Sequence, residues 1–300
     1  MSRYENGLNH PTEAVSFGAK TKTSARKQKA VRAQAAIALH LHAWLEEKFT
    51  LPVPDVPTFS RPEPETAAEM VRSCWGLGEA PAPNMVHLLE AHGVRVFALD
   101  PAHAEVDAFS FWRDDTPFVF LNTAKSGERG RFDGAHELGH LVLHGHDRSL
   151  TGPEAEREAN QFASAFLMPR ADVQARVPAG VTADQILKAK RFWRVSAMAL
   201  AYRLHDLGLL SDWQHRAACK ELAELGFRSG EPGGIPRETS QVLAKVSARL
   251  RESGRPLARL AVELGLPSDE LNSLMFGLAF TLNHGQGSGG PAAPPRLHLV

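Results

Sequence analysis

The segment His136-Glu137-Leu138-Gly139-His140 decides how the rest of this 300-residue chain is interpreted. In an α-helix, positions i and i+4 lie on one face about one turn apart, so both imidazoles can point at one ion. Neutral imidazole is a good zinc ligand, and Glu137 stands beside the coordination position that the two histidines leave open. The segment therefore predicts a helix with His136 and His140 as metal ligands.

The same spacing predicts hydrolytic chemistry. Zinc lowers the pKa of a bound water to about 7, and a nearby carboxylate can take its proton as the water attacks a carbonyl. We expect Glu137 to be this general base and later to protonate the leaving amine. The alternative is a polar helix face with solvated His and Glu side chains. The apolar residues of the same helix make this alternative less favoured: Phe132, Leu138, Leu141, Val142 and Leu143. Two histidines and a carboxylate also suit manganese or iron, so these metals stay open beside zinc.

A third protein ligand is expected from the next predicted helix, Pro153–Met168, which begins with three glutamates. Acids in a first helical turn are ordinary partners of the helix dipole, so Glu154, Glu156 and Glu158 are all candidates. Periodicity helps to choose, because stepping back by turns from the apolar stripe reaches Glu156 and Asn160. We expect these two residues to share the inward face, and Glu154 and Glu158 to lie off it. The stripe is Phe162, Ala163, Phe166 and Leu167.

Two separated motifs agree in order and spacing with one family. The first is His136–His140, and the second comprises residues 156–163 (Glu-Arg-Glu-Ala-Asn-Gln-Phe-Ala) with Leu167-Met168-Pro169. Together they resemble the ImmA/IrrE metallopeptidases over roughly residues 65–215. The resemblance implies zinc as cofactor, Glu156 as third zinc ligand and Asn160 as a residue that supports the site. It also implies a gluzincin-like fold and, as substrate, a partner repressor of the helix–turn–helix type.

Three short β-rich runs precede the motif helix, which is predicted over about Phe132–His144. Their β-branched and aromatic residues are typical of strands, and the short turns between them indicate a mostly antiparallel meander. We therefore predict an α+β, zincin-like (gluzincin-type) fold with helices packed on a small three-stranded sheet, followed by an all-helical C-terminal region. The three runs are Val94–Leu99, Val106–Trp112 and Pro117–Asn122.

Composition and pattern divide the chain into five segments. We predict a polar, basic lead-in (1–32), a helix with a Pro-rich linker (33–64), a metallopeptidase core (65–178), a helical region (179–283) and a disordered Gly/Pro-rich tail (284–300). The helical region contains two helix–turn–helix-like pairs, which are more often plain helical packing. These are Asp184–Trp193 with Ser196–Leu207, and Pro256–Leu264 with Asp269–Phe276.

Overall composition excludes several classes of protein. Lys plus Arg and Asp plus Glu both number 34, so a globally basic nucleic-acid binder is not expected. Cys74 and Cys219 make neither a disulfide framework nor a thiolate metal site, which fits a reducing cytoplasm. The sequence shows no signal-peptide pattern and no apolar run long enough for a membrane helix. We expect a cytoplasmic protein.

The N-terminal residues suggest a second role. Residues Ser2–Thr12 resemble the end of the recognition helix of an Xre-type helix–turn–helix domain, which many ImmA/IrrE relatives carry ahead of the peptidase. We expect either that the native start lies upstream and adds the complete domain, or that the fusion has decayed. The run Lys20–Arg32 has six basic residues and no acid, so it is either a solvated lead-in or an arm that contacts DNA phosphates.

Two functions from different classes fit these observations. The first is a zinc endopeptidase that cleaves a helix–turn–helix repressor and so relieves repression, in a stress response or in control of a mobile element. The second is a DNA-binding transcription regulator whose peptidase-like core is a sensor or scaffold. We favour the first, because a degenerate scaffold has little reason to retain both histidines and both glutamates.

Other polar residues are weaker candidates for the site. Tyr202, in a helix with Arg203 and His205, is the candidate donor to a developing oxyanion, although an ordinary amphipathic role fits all three. His144 lies one turn beyond His140 and is expected to point along the helix rather than at the same ion. We interpret it, with His146, as an outer or surface residue.

Overall fold

The structure is a computed structural model that describes residues 25–59, 62–100, 107–145 and 152–278. The described residues form twelve helices and one three-stranded sheet, so the α+β class is confirmed. The elements are α1 (Ala25–Lys48), α2 (Pro64–Cys74), α3 (Met85–Ala91), β1 (Arg95–Leu99), β2 (Ala108–Arg113), β3 (Thr116–Asn122), α4 (Gly127–Leu143), α5 (Pro153–Leu167), α6 (Arg170–Arg176), α7 (Ala183–Trp193), α8 (Ala197–Asp206), α9 (Asp212–Glu224), α10 (Gln241–Glu252), α11 (Leu257–Leu264) and α12 (Ser268–Leu274).

These elements group into two compact units, each built from segments that are distant in sequence. The first unit comprises the described residues up to Val56, those of Val86–Thr123 and those from Thr239 onward. The second unit comprises Pro57–Met85 and Ala124–Glu238, less the gaps given above. Among the described residues, none of the helices combines the length and the hydrophobicity that a membrane span requires.

The sheet of the first unit is mixed, with the order β1-β3-β2. Strand β3 pairs parallel with β1, Arg95 opposite Phe118, and antiparallel with β2, Phe109 opposite Phe120. The predicted meander is therefore wrong. Strands β1 and β3 are both almost wholly buried, as strands of a parallel pair are, whereas β2 alternates between buried and partly exposed residues, as a one-sided antiparallel strand does.

The core of the first unit forms around the aromatic side chains of the sheet. The rings of Phe109 and Phe120 stack with centroids 4.4 Å apart, and Phe111 stacks on Phe118 at 5.2 Å. Apolar residues of α1, α10, α11 and α12 belong to the same buried cluster. Stacked aromatic pairs contribute more than their buried area alone, so these cross-strand pairs stabilise the pairing of β2 with β3.

A buried carboxylate connects α3 to the start of α10. Glu90 is 3% exposed; its Oε2 accepts hydrogen bonds from the backbone N–H groups of Gln241 at 3.0 Å and Val242 at 3.2 Å, and its Oε1 from the Ser240 hydroxyl. These bonds satisfy donors that an α-helix leaves unpaired in its first turn. Burial nevertheless raises the pKa of Glu90 to about 7, against the lowering effect of its hydrogen bonds.

The raised pKa predicts a pH effect on stability. Between pH 4.5 and about 7 the folded protein holds the Glu90 proton more tightly than the unfolded chain does, so this contribution to stability is complete below pH 4.5 and is lost as the pH rises through 7. We expect the unfolding free energy of the wild type to fall by about 2 to 3 kcal/mol relative to Glu90→Gln across that window. Urea unfolding of both proteins at pH 4.5 and pH 8 measures this, and parallel pH profiles would contradict it.

The second unit is built around the packing of α4 on α5. Helix α4 begins at Gly127, earlier than the predicted Phe132, because the Ser126 hydroxyl accepts a hydrogen bond from Arg129 N–H and caps it. Gly139 of α4 faces Phe162 of α5. A Cβ atom added there would meet Phe162 at 3.0 Å. The missing side chain therefore permits the short distance between the helices.

Arginine side chains connect the remaining helices of the second unit. Arg72 of α2 donates to the carbonyl oxygens of Phe166, Gly78 and Ala80, and it is 3% exposed. Arg203 of α8 pairs in a fork with Glu65 of α2, with Nη2–Oε1 at 2.6 Å and Nη1–Oε2 at 3.2 Å. Buried guanidinium groups with full sets of acceptors fix the geometry of the helices they join.

The helices of the two predicted pairs are α7 with α8 and α11 with α12, and their helix–turn–helix character stays a prediction. In the first pair the turn passes through Arg194 in a left-handed conformation (φ 57°) and then Ser196, whose hydroxyl caps α8. Several predictions fall outside the described residues: the Xre-like Ser2–Thr12, the start of the basic run Lys20–Arg32, His146, and the tail 284–300. Of the basic run, the backbone from Ala25 on is helical.

Two substitutions in α4 separate helix propensity from interhelical packing. Gly139→Val should lower the free energy of unfolding by about 1 to 3 kcal/mol or more, because the added carbons would press on Phe162. Gly130→Ala, in the same helix, should instead raise it by about 0.5 to 1 kcal/mol, because a Cβ atom at that position would meet nothing within 4 Å. Denaturant unfolding of both variants measures the difference; a stabilised Gly139→Val protein would contradict the packing argument.

Candidate metal centre

Three side chains from α4 and α5 converge at one point of the second unit. The Nε2 atoms of His136 and His140 lie 3.1 Å apart, as expected for residues one helical turn from each other. The carboxylate of Glu156 faces both imidazoles, with Oε2 3.5 Å from His136 Nε2 and Oε1 3.5 Å from His140 Nε2. Glu154 instead is 69% exposed at its side chain and pairs with Arg157. Of the three candidate glutamates, Glu156 is the one beside both histidines.

The distances fit a tetrahedral metal ion. Zinc bonds of about 2.0–2.1 Å place two tetrahedral ligand atoms about 3.3–3.4 Å apart. The separation of the two Nε2 atoms (3.1 Å) and the distance from each of them to a Glu156 oxygen (3.5 Å) lie close to that value. Two imidazoles and a carboxylate, with one position left for water or substrate, form the donor set of a catalytic rather than a structural zinc site. Within the described ranges, His136, His140 and Glu156 form the one group of this kind that could hold a metal ion.

The electrostatics of the group favour a cation. Burial acts to raise the pKa of Glu156, but the hydrogen bonds and charges of His136 and His140 outweigh it and lower the pKa to about 2. Burial likewise acts to lower the pKa of His136, but the hydrogen bond to Glu156 and nearby negative charges raise it overall. Those further charges belong to Glu137 and Asp133. Acidic groups that stabilise a proton here would also stabilise a metal ion.

Each histidine also has a partner at its Nδ1 atom. His136 Nδ1 lies 3.1 Å from Asn160 Oδ1, so it donates to that amide oxygen and keeps its Nε2 lone pair for a metal. His140 Nδ1 lies 3.0 Å from His144 Nδ1, and His144 Nε2 lies 2.9 Å from Glu158 Oε2. Burial lowers the pKa of His144, which keeps its ring neutral at neutral pH. Each candidate histidine ligand is thus oriented by a neighbour on the side away from the cluster.

The contact of Glu158 differs from the one that its sequence position predicts. Periodicity places this residue off the inward face, yet its carboxylate contacts His144 and is 32% exposed. Helical periodicity describes where Cα atoms lie, whereas the flexible Glu158 side chain extends toward α4. The one sequence signal is the repeat of the four-residue spacing at His136, His140 and His144, which puts a third imidazole on the same face.

Other polar residues near the motif have structural partners. Arg131 is 1% exposed and donates to the carbonyl oxygens of Pro83 and Ala82 as well as pairing with Glu238. Asp133 lies inside α4 rather than at its start, and it pairs with Arg129 at 3.0 Å. These contacts hold α4 in place. Glu137, the acid between the two histidines in sequence, is 4% exposed, and its negative charge acts to raise the pKa of His136.

The candidate oxyanion donor lies in a different environment. Tyr202 is 54% exposed, and its ring meets His215 of α9 edge-on at 4.8 Å. His205 of the same helix stacks on His215 and pairs with Asp212 at 2.8 Å. Arg203 is committed to Glu65. A catalytic role for Tyr202 therefore stays a prediction based on its sequence position.

The site defines a candidate metal centre of a hydrolase. Residues 89–205 match the Peptidase_M78 family model, described as the IrrE N-terminal-like domain, and this segment contains the whole metal cluster. The match supports assignment to the ImmA/IrrE family and a metallopeptidase-type function, and peptidases of this family are typically metal-dependent. No curated protein matches the chain. The Xre-type remnant lies outside the matched segment and stays a prediction.

Metal content tests the ligand assignment directly. We expect about one zinc per purified wild-type chain and its loss in His140→Ala and Glu156→Ala, because each removes one of three protein donors. Glu154→Ala, which deletes an exposed acid two residues away, should retain the metal. Mass spectrometry of the four proteins gives the answer. Retention of zinc without Glu156 would show that another residue is the third ligand.

Proposed function

We propose that this protein is a zinc-dependent endopeptidase that cleaves a helix–turn–helix transcriptional repressor and thereby relieves repression. The observation that supports the enzymatic part is the convergence of two imidazoles and a carboxylate at mutual distances of 3.1–3.5 Å, with Glu137 next in sequence to the first of them. The family match over residues 89–205 supports the same reaction class.

The donor set suits the chemistry of peptide-bond cleavage. Zinc, when bound, would act as a Lewis acid toward water and the peptide carbonyl. His136, His140 and Glu156 would hold it. Glu137 would accept a proton from the attacking water and pass it to the amine nitrogen of the leaving peptide. Its burial places this carboxylate in surroundings of low dielectric, where its interaction with the reacting groups is stronger than in water.

The repressor as substrate rests on the resemblance to the ImmA/IrrE metallopeptidases. The helix pair α7 and α8 gives little support to the competing DNA-binding function. The sole arginine of the candidate recognition helix α8 is Arg203, which is 3% exposed and paired with Glu65, so it is not available to phosphates. Lys20–Arg32 stays a proposed weak DNA contact that is compatible with peptidase activity.

The catalytic proposal is tested with Glu137→Gln. The amide keeps the size of the side chain but cannot accept the proton, so we expect the cleavage rate to fall by about 10²–10⁴-fold while zinc content stays at the wild-type value. Zinc is measured by mass spectrometry, and cleavage by gel analysis after incubation with unstructured polypeptides and with Xre-type repressors. Equal cleavage by wild type and Glu137→Gln would exclude Glu137 as the base.

The substrate requires a separate readout. We expect the repressor encoded nearest to this gene to be cut at one position by the wild type and left intact by Glu137→Gln. Glu154→Gln is the matched control, since it changes an exposed acid on the next helix and should leave cleavage unchanged. Cleavage of other polypeptides but of no repressor would retain the peptidase and reject this substrate class.

A further inference from the structure

We infer that His144 and Glu158 are positioning residues that hold His140 as a metal ligand through a hydrogen-bonded chain. The chain runs from Glu158 Oε2 to His144 Nε2 over 2.9 Å, and from His144 Nδ1 to His140 Nδ1 over 3.0 Å. The inference rests on the proposed function, because it concerns the same metal centre. It assigns a role to two residues that lie outside the three-ligand group.

This series of hydrogen bonds permits one arrangement of protons when His140 binds a metal. His140 can coordinate through Nε2 only if that nitrogen is unprotonated, so its proton lies on Nδ1. His144 Nδ1 must then accept that proton in a hydrogen bond, which leaves the His144 proton on Nε2. This Nε2–H donates to the Glu158 carboxylate, which is an acceptor only. Every donor in the series therefore meets an acceptor.

The two histidine ligands differ in what supports them. His136 donates to the neutral amide oxygen of Asn160, whereas His140 is connected to a carboxylate through an intervening imidazole. A carboxylate behind a ligating histidine increases the basicity of its metal-binding nitrogen and fixes its ring orientation. The side chain of His144 is only 7% exposed, so water competes little for its hydrogen bond with His140, whereas Glu158 is 32% exposed.

The test measures zinc affinity by competition with a chromogenic chelator, using wild type, His144→Ala, His144→Asn and His144→Gln. Asparagine places an oxygen near the position of His144 Nδ1, and can accept from His140. Glutamine places its amide near the position of Nε2, and can meet Glu158 but not His140. We expect His144→Ala and His144→Gln to weaken zinc binding by about 10- to 100-fold, and His144→Asn to recover most of the loss.

The carboxylate is tested with a matched pair of substitutions on α5. Glu158→Gln keeps an acceptor oxygen but removes the charge, so we expect a smaller loss of zinc affinity than in His144→Ala. Glu154→Gln removes an exposed charge that pairs with Arg157 and should leave zinc affinity unchanged. Thermal unfolding of the metal-free His144→Asn and His144→Gln proteins, which each retain one of the two hydrogen bonds, should give matching midpoints, which separates a positioning role from a general loss of structure.

The outcomes distinguish this inference from the function on which it rests. Zinc that is bound by the wild type, lost in His140→Ala and bound normally by His144→Ala would overturn the hydrogen-bonded chain and leave the metallopeptidase intact. Equal losses in His144→Asn and His144→Gln would overturn it as well, because they would show that the ring only fills space. A wild type that binds no zinc would remove both proposals.

Discussion

The metal cluster depends on the close approach of α4 and α5. A helix presents His136 and His140 on one face by its geometry alone, but the carboxylate comes from another helix and must reach within 3.5 Å of both rings. Gly139, between the two histidines, provides this proximity because its missing side chain leaves room for Phe162. The motif thus contains ligands and, between them, the residue that lets the third ligand approach.

Buried charges in the second unit position its helices rather than add a large net stability. Arg72, Arg131 and Arg203 are each at most 3% exposed, and each has carbonyl or carboxylate acceptors from other segments. Replacing such groups by apolar residues is often tolerated energetically, whereas removing one partner leaves a costly unpaired charge. Their effect is to select one arrangement of helices, and a metal centre with sub-ångström requirements needs such selection.

Local signals in the sequence predict the ligand helix, the α+β class and the cluster around Glu156, because each depends on helical periodicity or strand propensity. The strand order is not predictable in the same way. Alternating patterns define which face of a strand is buried, but the parallel pairing of β1 with β3 arises from the arrangement of segments distant in sequence. The contact of Glu158 with His144 is likewise not predictable from local patterns, because it depends on how a flexible side chain extends from one helix to another.

The division of the chain into discontinuous units has a consequence for the order of synthesis. All segments of the second unit, including every residue of the metal cluster, have been translated once the ribosome passes Glu238. The first unit, by contrast, needs α10–α12 as well as α1 to complete the cluster around its sheet, and these three helices follow the second unit in sequence. During translation, the apolar sheet residues are therefore made before three of the four helices that pack with them, and apolar surface that is left uncovered in this way promotes aggregation and chaperone binding.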